Sequence, residues 1–324
     1  MCDGSMTLRK IAIRSLAVVA VSLAIGACAK NPTIFIPPPV THMYVSQFDG
    51  GHTGNIQQYA LPLSSASTPS LTFTPTLGDA DGMAVDSQNH IYVAFPNELE
   101  IQVFAAPLTS TSAPLFTIGP IAGGFFTNTV AFDHQGNLWV ASEGNGQIFE
   151  FNPPFSAAST PSFTINGAGT TPVLQHPEQI AFDAGGDMAV EDFGAVSQVL
   201  FFQAPLGGTS TPHAAAVIAT GASPVGVGFD VKQQLYVSTL ASGTQVFAPP
   251  FATGNAPKFT IAAPAGASNA FMLSFDSSGN LYVPFSSPGT GLLAVYNPPF
   301  SGASPVAFTI TNGMNSPNIA VFAP

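Results

Sequence analysis

Three residues able to bind a hard cation share one position relative to a recurring aspartate. Each lies five residues before an aspartate that ends an apolar run, and they are Asp81, Asn128 and Glu178. Carboxylate and amide oxygens are the ligands that Ca²⁺ prefers. The remaining positions of the series are apolar and are read as Val225, Phe271 and Pro317. The sequence therefore predicts a Ca²⁺ site formed by Asp81, Asn128 and Glu178.

More carboxylates follow the second apolar run after each of these three positions. They are Glu98, Glu100, Glu143, Glu191 and Asp192, all predicted in loops. Because antiparallel strands alternate in direction, these loops return to the face that holds the three ligands. We assign Asp192 as the general base that such a metal site would need for hydrolysis. The alternative is a solvated acidic rim, which is the usual environment of surface carboxylates.

The elements that must position these residues form a repeat. Six times an aromatic residue is followed by a proline and then by Leu or Phe, starting at Tyr59, Phe104, Phe151, Phe202, Phe247 and Tyr296. Between copies the chain reads as four short strands separated by turns, without a helical period. Such units, 46 to 50 residues apart, are typical of β-propeller blades.

The aspartates that end the first strands have a structural explanation. They are Asp86, Asp133, Asp183, Asp230 and Asp276. Segments such as DHQGN and DSSGN place Asp at the start of a turn and Gly-Asn at its end. Asp accepts hydrogen bonds from turn amides, and Gly takes the positive-φ position. We therefore interpret these five residues as turn formers.

The two ends of the chain complete one another. Ser316–Phe322 reads as a first strand with nothing after it, and His42–Phe48 begins a unit that lacks its first strand. Joined, they make a sixth blade, which removes free sheet edges. The predicted fold is an all-β, six-bladed β-propeller over residues 42–324, with one blade shared by the N- and C-terminal strands.

Several segments resemble NHL-type repeats of six-bladed propellers. They include GMAVDSQNHIYVAF, VAFDHQGNLWVAS and LSFDSSGNLYVPF, and the resemblance covers residues 42–323. The loop after the second strand departs from that family because it has no arginine here. The blade positions of Asp81, Asn128 and Glu178 are also similar in outline to gluconolactonase-like propellers. That resemblance implies a metal at the channel mouth and hydrolysis of lactones.

The N-terminus has the pattern of an export signal. Arg9, Lys10 and Arg14 precede a 13-residue apolar run, Ser15–Ala27, which is too short to span a bilayer. The run ends in Ile25-Gly26-Ala27-Cys28, which resembles the lipobox of bacterial lipoproteins. We expect a signal peptide at 1–27, with translation from Met1 or Met6. We expect an acylated Cys28, a proline-rich tether at 28–41, and lipid attachment in the bacterial cell envelope. The alternative is an incidental cysteine beside an ordinary cleavage site.

Charge limits the classes of partner. From Cys28 onward the chain has three lysines, no arginine and 16 acidic residues, a formal charge of −13. Nucleic acid is excluded because a phosphate backbone needs cationic contacts. No nucleophile elbow, P-loop or HExxH motif is present. Two functions remain. The first, which we favour because half of the ring positions are apolar, is a lipid-anchored, monomeric binding or scaffold module that contacts a protein, peptide or glycan through its channel-mouth face. The alternative is a Ca²⁺-dependent hydrolase of lactone type.

Overall fold

The chain forms six four-stranded antiparallel sheets arranged as the blades of a β-propeller. The computed structural model describes residues 38–48, 54–170, 172–193, 197–206, 214–241, 243–287 and 290–324. The predicted fold class is confirmed. The predicted signal peptide, Cys28 and most of the tether lie outside the described residues. Within the described ranges, no helix is both long and apolar enough to cross a membrane.

Each blade has an innermost, second, third and outer strand. The innermost strands are β4 (Met83–Val85), β8 (Thr127–Phe132), β12 (Pro177–Phe182), β16 (Pro224–Phe229), β20 (Ser274–Phe275) and β24 (Pro317–Ala323). The second strands are β1 (His42–Gln47), β5 (His90–Phe95), β9 (Leu138–Ser142), β13 (Met188–Asp192), β17 (Leu235–Thr239) and β21 (Leu281–Ser287).

The third strands are β2 (Asn55–Ala60), β6 (Glu100–Ala105), β10 (Gln147–Phe151), β14 (Gln198–Phe202), β18 (Gly243–Phe247) and β22 (Thr290–Tyr296). The outer strands are β3 (Leu71–Phe73), β7 (Phe116–Ile118), β11 (Phe163–Asn166), β15 (Ala216–Ala219), β19 (Phe259–Ile261) and β23 (Phe308–Ile310). We number the blades 1 to 5 from β4–β7 to β20–β23.

Blade 6 is the composite that closes the ring. Its strand order is β24-β1-β2-β3, so the last strand of the chain pairs with the first. His42 pairs with Ala323 and Met43 with Phe322 in antiparallel register. The predicted closure is therefore confirmed, and it leaves the innermost strand of this blade without a free hydrogen-bonding edge on its β1 side.

The core consists of apolar layers between neighbouring blades. Between blades 1 and 2, for example, Tyr92, Val130 and Phe149 are buried in one cluster. Between blades 2 and 3, Trp139, Ile180 and Leu200 are buried together in a second cluster. The second strands are buried along almost their whole length, because both faces of a blade are covered by its neighbours.

The five strand-ending aspartates shape their turns as predicted. Asp133 Oδ1 accepts the backbone N–H groups of Gln135 and Asn137, each at 2.9 Å. The same pair of bonds recurs at Asp86, Asp183, Asp230 and Asp276. The other carboxylate oxygen of Asp133 accepts the Trp139 indole N–H at 2.9 Å. Tyr236 and Tyr282 bond Asp230 and Asp276 in the same way. These acids are therefore structural.

Candidate functional site

The three predicted ligands lie at the same end of the channel, where the innermost strands begin. Asn128 and Glu178 are the second residues of β8 and β12, and Asp81 lies two residues before β4. In both β8 and β12 the pairing with the second strand shifts register at this position. Such bulges re-aim a side chain. We call this end of the channel the mouth.

The sixth member of the series is Asn318, and the sequence-based choice of Pro317 is wrong. Ala323 pairs with His42 and takes the position that the turn aspartates hold in the other blades. Counting back five residues from Ala323 reaches Asn318. The error arose because blade 6 has no turn aspartate from which to count.

Asp81 and Asn318 are bonded to each other across blades 1 and 6. Asn318 Nδ2 donates to Asp81 Oδ1, and both residues are buried. The Asn318 Oδ1 atom is buried, and no partner for it lies among the described residues. Burial raises the pKa of Asp81 well above its ordinary value, and the charges of Glu178, Glu143 and Asp79 raise it further. Asp79 itself is buried, and its Oδ1 accepts the Gly54 N–H at 3.2 Å.

Asn128 is oriented by Glu143 in the same manner. Its Nδ2 donates to Glu143 Oε2 at 3.3 Å, and its Oδ1 is buried, with no hydrogen-bond partner in the described part of the chain. Glu143 opens a 3₁₀ turn, Glu143–Asn145, that follows β9. Burial raises the Glu143 pKa, while the positive charge available to His176 opposes that effect. The Nδ2 groups of Asn128 and Asn318 are thus bonded to carboxylates, and their two Oδ1 atoms at the mouth have no partner among the described residues.

The pKa values of Glu178 and Glu191 are both raised, and each carboxyl group lies near other acidic side chains. Burial, followed by the charge of Glu143, raises the pKa of Glu178 to about 8. Glu191 is fully buried, and its pKa lies well above the ordinary value because of burial and the nearby charges of Glu178 and Asp192. The backbone of Gln179 offsets a smaller part of this shift. Neither Glu191 oxygen has a hydrogen bond of normal geometry to a described residue.

Glu191 and Asp192 belong to strand β13, which corrects their predicted place in a loop. Asp192 Oδ1 accepts the N–H groups of Gln175 and His176 at 3.0 and 2.7 Å. Asp192 Oδ2 accepts Gln198 Nε2 at 3.0 Å. These contacts anchor the loop that leads into Glu178. The role of Asp192 as general base remains a prediction.

In two other blades, the residue at the position equivalent to Asp192 also accepts backbone N–H groups of the loop before the innermost strand. Gln47 Oε1 accepts the N–H groups of Asn315 and Ser316, each at 2.9 Å, and thereby holds the loop before Asn318. Ser142 Oγ accepts the Phe125 N–H at 2.8 Å, in the loop before Asn128. This position therefore anchors the preceding loop in blades 2, 3 and 6, whereas Phe95 and Phe285 occupy it in blades 1 and 5.

The channel is crossed by side chains immediately below the mouth. Gln179 Nε2 donates to Leu273 O at 2.9 Å, and its Oε1 accepts the N–H groups of Val227 and Leu273 at 2.9 and 3.1 Å. One side chain of blade 3 thus bonds blades 4 and 5. Gly226 permits this contact, since a Cβ there would lie 2.8 Å from Gln179 Oε1. The residue was not foreseen from the sequence, where it is one glutamine among several.

The mouth also has an apolar border. Phe125, Val173 and Phe193 are 64%, 47% and 37% exposed and belong to blades 2 and 3, which carry Glu143, Glu178 and Glu191. The Phe125 ring covers Gly144, where a Cβ would lie only 1.8 Å from its Cδ1. Phe126 has φ 59° and meets Phe48 of blade 6 edge-on at 6.2 Å between centroids. An acidic depression with aromatic edges results.

The donor set fits a hard cation only when the amides take part. Within the described ranges, no three His, Cys, Asp or Glu side chains are grouped so that they could hold a metal ion. The Nδ2 groups of Asn128 and Asn318 face the carboxylates of Glu143 and Asp81, and their Oδ1 atoms have no partner among the described residues. A mixed amide and carboxylate set is what Ca²⁺ accepts, with water completing the shell. Glu98, also predicted on this face, lies in the turn between β5 and β6, and Glu100 is the first residue of β6, which corrects its predicted place in a loop.

Comparisons with known proteins support the fold. No protein-family profile matches the chain, and no curated protein matches its sequence. A solved protein of unknown function from Bacteroides caccae is 14% identical, covers 88% of this chain and 99% of its own, and has a TM-score of 0.64. A periplasmic gluconolactonase from Pseudomonas aeruginosa is 15% identical, with coverage of 88% and 99% and a TM-score of 0.58.

A gluconolactonase from Xanthomonas campestris gives 15% identity, coverage of 75% and 82%, and a TM-score of 0.50. At such identities the likeness establishes the fold alone. The chain is a six-bladed β-propeller whose structural neighbours include gluconolactonases.

Proposed function

We propose that the mouth is the active site of a Ca²⁺-dependent hydrolase that opens lactone-type esters. The observation that carries this proposal is a cluster of four mutually repelling carboxyl groups, with Asp81 and Glu191 buried and Glu143 and Glu178 half-buried, beside two free amide oxygens. Carboxylates buried without cationic partners lower stability, and clusters of strongly shifted pKa values are typical of functional sites.

Asp81, Asn128, Glu178 and Asn318 are the residues that would hold the cation. A bound Ca²⁺ would polarise the ester carbonyl and stabilise the developing negative charge. The hydrogen bonds from Asn318 to Asp81 and from Asn128 to Glu143 keep both amide oxygens turned away from these carboxylates. Asp192 fixes the loop before Glu178 through two backbone N–H groups.

Glu191 is the group we assign to proton transfer, in place of Asp192, the residue predicted from the sequence as the general base. Its two oxygens are free of normal hydrogen bonds within the described residues, whereas both oxygens of Asp192 accept bonds. In the reaction, the oxygen of a water molecule bonds to the carbonyl carbon and the ring C–O bond breaks. Glu191 takes a proton from the water and returns it to the departing alkoxide, which yields a hydroxy acid. The carboxylates of the mouth disfavour anionic substrates, so a neutral lactone is the substrate that fits best.

The test is hydrolysis of neutral lactones by the purified chain with Ca²⁺ and with a chelator. Glu191→Gln should lower kcat by about 100-fold or more, the usual contribution of a general base. Glu150→Gln serves as the control, because Glu150 lies on β10 away from the mouth. Absence of Ca²⁺-dependent hydrolysis across a panel of ring sizes would contradict the proposal.

The exposed aromatic border favours a second candidate, a binding module for a peptide or glycan. Phe125 and Phe193 offer rings on which a sugar or apolar side chain can pack. In this case Phe125→Ser with Phe193→Ser should abolish capture on a glycan or peptide array. Glu191→Gln should leave that capture unchanged, and this separates the two candidates.

The proposal also includes the repeat type, the cellular location and the oligomeric state of the protein. We assign the repeats to the NHL type, supported by strand order and by the turn aspartates. We place the protein in the cell envelope as a monomer, attached to the membrane through acylated Cys28. The attachment through Cys28 is supported by the basic residues near the start of the chain, the short apolar run and the cysteine that follows it. Incorporation of labelled fatty acid, lost in Cys28→Ser, is the corresponding measurement.

A further inference from the structure

Both lysines of the described chain line one groove, far from the acidic mouth. Lys232 lies in the turn between β16 and β17, and Lys258 precedes β19, so both belong to blade 4. They face a groove of about 210 Å³ whose opposite wall comes from blade 5 and includes Ser277, Pro299 and Phe300. In a chain of such negative charge, this is a local reversal of sign.

The repeat itself does not require lysine at either position. Lys258 donates its backbone N–H to Val246 O, a bond that recurs in the other five blades. The residues making it there are Ser70, Leu115, Ser162, Ala215 and Ala307. Lys232 follows its turn aspartate by two residues, and the corresponding residues are Gln88, Gln135, Gly185 and Ser278. The fold therefore forms without a cation at these sites.

Neither lysine has a carboxylate to pair with among the described residues. Asp230 borders the groove, but its Oδ1 accepts the N–H groups of Lys232 and Gln234, and its Oδ2 accepts Gln234 Nε2 and the Tyr236 hydroxyl. Asp276, on the blade 5 side, is engaged by four equivalent bonds. Lys258 Nζ donates to Gln234 Oε1 at 3.1 Å, which leaves two of its three donors free.

Besides the lysines, the groove has a polar part with Asp230, Gln234 and Ser278 and an apolar part. Pro298, Pro299 and Phe300 form one wall, and Phe300 packs on Tyr236 and Phe275 with centroids 5.5 and 6.3 Å apart. The groove has room for a ligand with a single ring and one charged group. Its volume is smaller than the usual range of pockets that bind drug-sized ligands. Two lysine side chains that line such a groove attract an oxyanion.

We propose that the groove between blades 4 and 5 binds a small organic oxyanion with a flat apolar body, held by Lys232 and Lys258. The site is independent of the mouth, so its ligand need not be a lactone or its product. The ring of the ligand packs on Pro299 and Phe300, and the ammonium groups contact the oxyanion.

Calorimetric titration of the full chain with phenyl phosphate tests this site. Phenyl phosphate should bind, and phenol, which has the ring without the charge, should bind at least about tenfold more weakly. Lys232→Gln and Lys258→Gln should each weaken binding about threefold, and the double variant about tenfold, as expected for exposed ion pairs. Raising the ionic strength should weaken binding in the wild type.

Lys30→Gln is the matched control, because it removes the same charge from the tether segment. It should leave the affinity for phenyl phosphate unchanged. Equal affinity of the wild type and the double variant would overturn the proposal, as would equal binding of phenol and phenyl phosphate.

Discussion

Asn318, in the last strand of the chain, donates a hydrogen bond to Asp81, which precedes the innermost strand of blade 1. Ring closure and the candidate site therefore share a contact. Strand β24 closes blade 6 and also places a free amide oxygen at the mouth. Damage to the closure should consequently alter the site.

Deletion of residues 316–324 should open the ring. The deletion removes β24, exposes one edge of β1 and uncovers part of the layer between blades 5 and 6. We expect the melting temperature to fall by more than about 10 °C, since several buried side chains are lost. Calorimetry provides the measurement. A truncated chain that melts cooperatively at the wild-type temperature would contradict the role of β24.

Asn318→Asp should make stability depend on pH. The variant places a second carboxyl group against Asp81, and two adjacent carboxylates cannot both ionise without repulsion. We expect a loss of about 1–3 kcal/mol at pH 8 relative to wild type, with most of it recovered at pH 5. Denaturant titration at both pH values measures this. Asn315→Asp, at an exposed position nearby, is the control and should show no such difference.

The wild-type protein without added cation should lose stability as the pH rises. The pKa of Glu178 is about 8 in the folded state against an ordinary value of 4.5. The folded state therefore holds a proton that the unfolded state has released, and stability falls between pH 4.5 and 8. Melting curves in a chelator across this range should show the decline. Glu178→Gln should reduce the decline, with Asp81, Glu143 and Glu191 accounting for what remains, and an unchanged slope in that variant would remove Glu178 as a cause.

Ca²⁺ should raise the melting temperature. Binding to the folded state alone stabilises by about 2.7 kcal/mol at a ligand concentration of 100 times Kd. Asp81→Asn and Glu178→Gln should reduce the shift, because each removes a charged ligand. Asp276→Asn, in a turn at the opposite end of its strand, should leave the shift intact. A flat titration of the wild type would leave the acids as a solvated rim and remove the metal-dependent hydrolase.

Cys28→Ser should release the protein from membranes. Stable attachment requires more than one acyl chain or a second signal, so loss of the modified cysteine removes the anchor. Cell fractionation followed by immunoblotting measures the distribution. Retention of the variant in the membrane fraction would show that Cys28 is not the point of attachment.

The fold could be predicted from the sequence because each repeat unit is marked by residues that lie close together in the chain. Turn aspartates, Gly-Asn pairs and alternating strands are local, and their spacing predicted every blade, including the composite one. The turn role of Asp133 and its equivalents followed from the same local chemistry.

The site was predicted less completely because it depends on contacts between distant residues. Asn318 was missed because blade 6 lacks the aspartate used for counting. Gln179 was missed because its role comes from reaching blades 4 and 5 across the channel, beside a glycine at 226. The burial of Glu191 also reflects its neighbours, since the corresponding residues in blades 1 and 2 are Ala94 and Ala141.

The bonds of Gln179 to Val227 and Leu273, together with the 3.1 Å contact between Thr129 Oγ1 and Met272 Sδ, place side chains across the centre of the ring beneath the mouth. We therefore expect molecules that reach Glu178 and Glu191 to arrive and depart by one route. Any product formed there must leave before the next substrate can enter. Product inhibition is therefore expected to be competitive, and a ligand wide enough to rest on Phe125 and Phe193 should block turnover without touching the carboxylates.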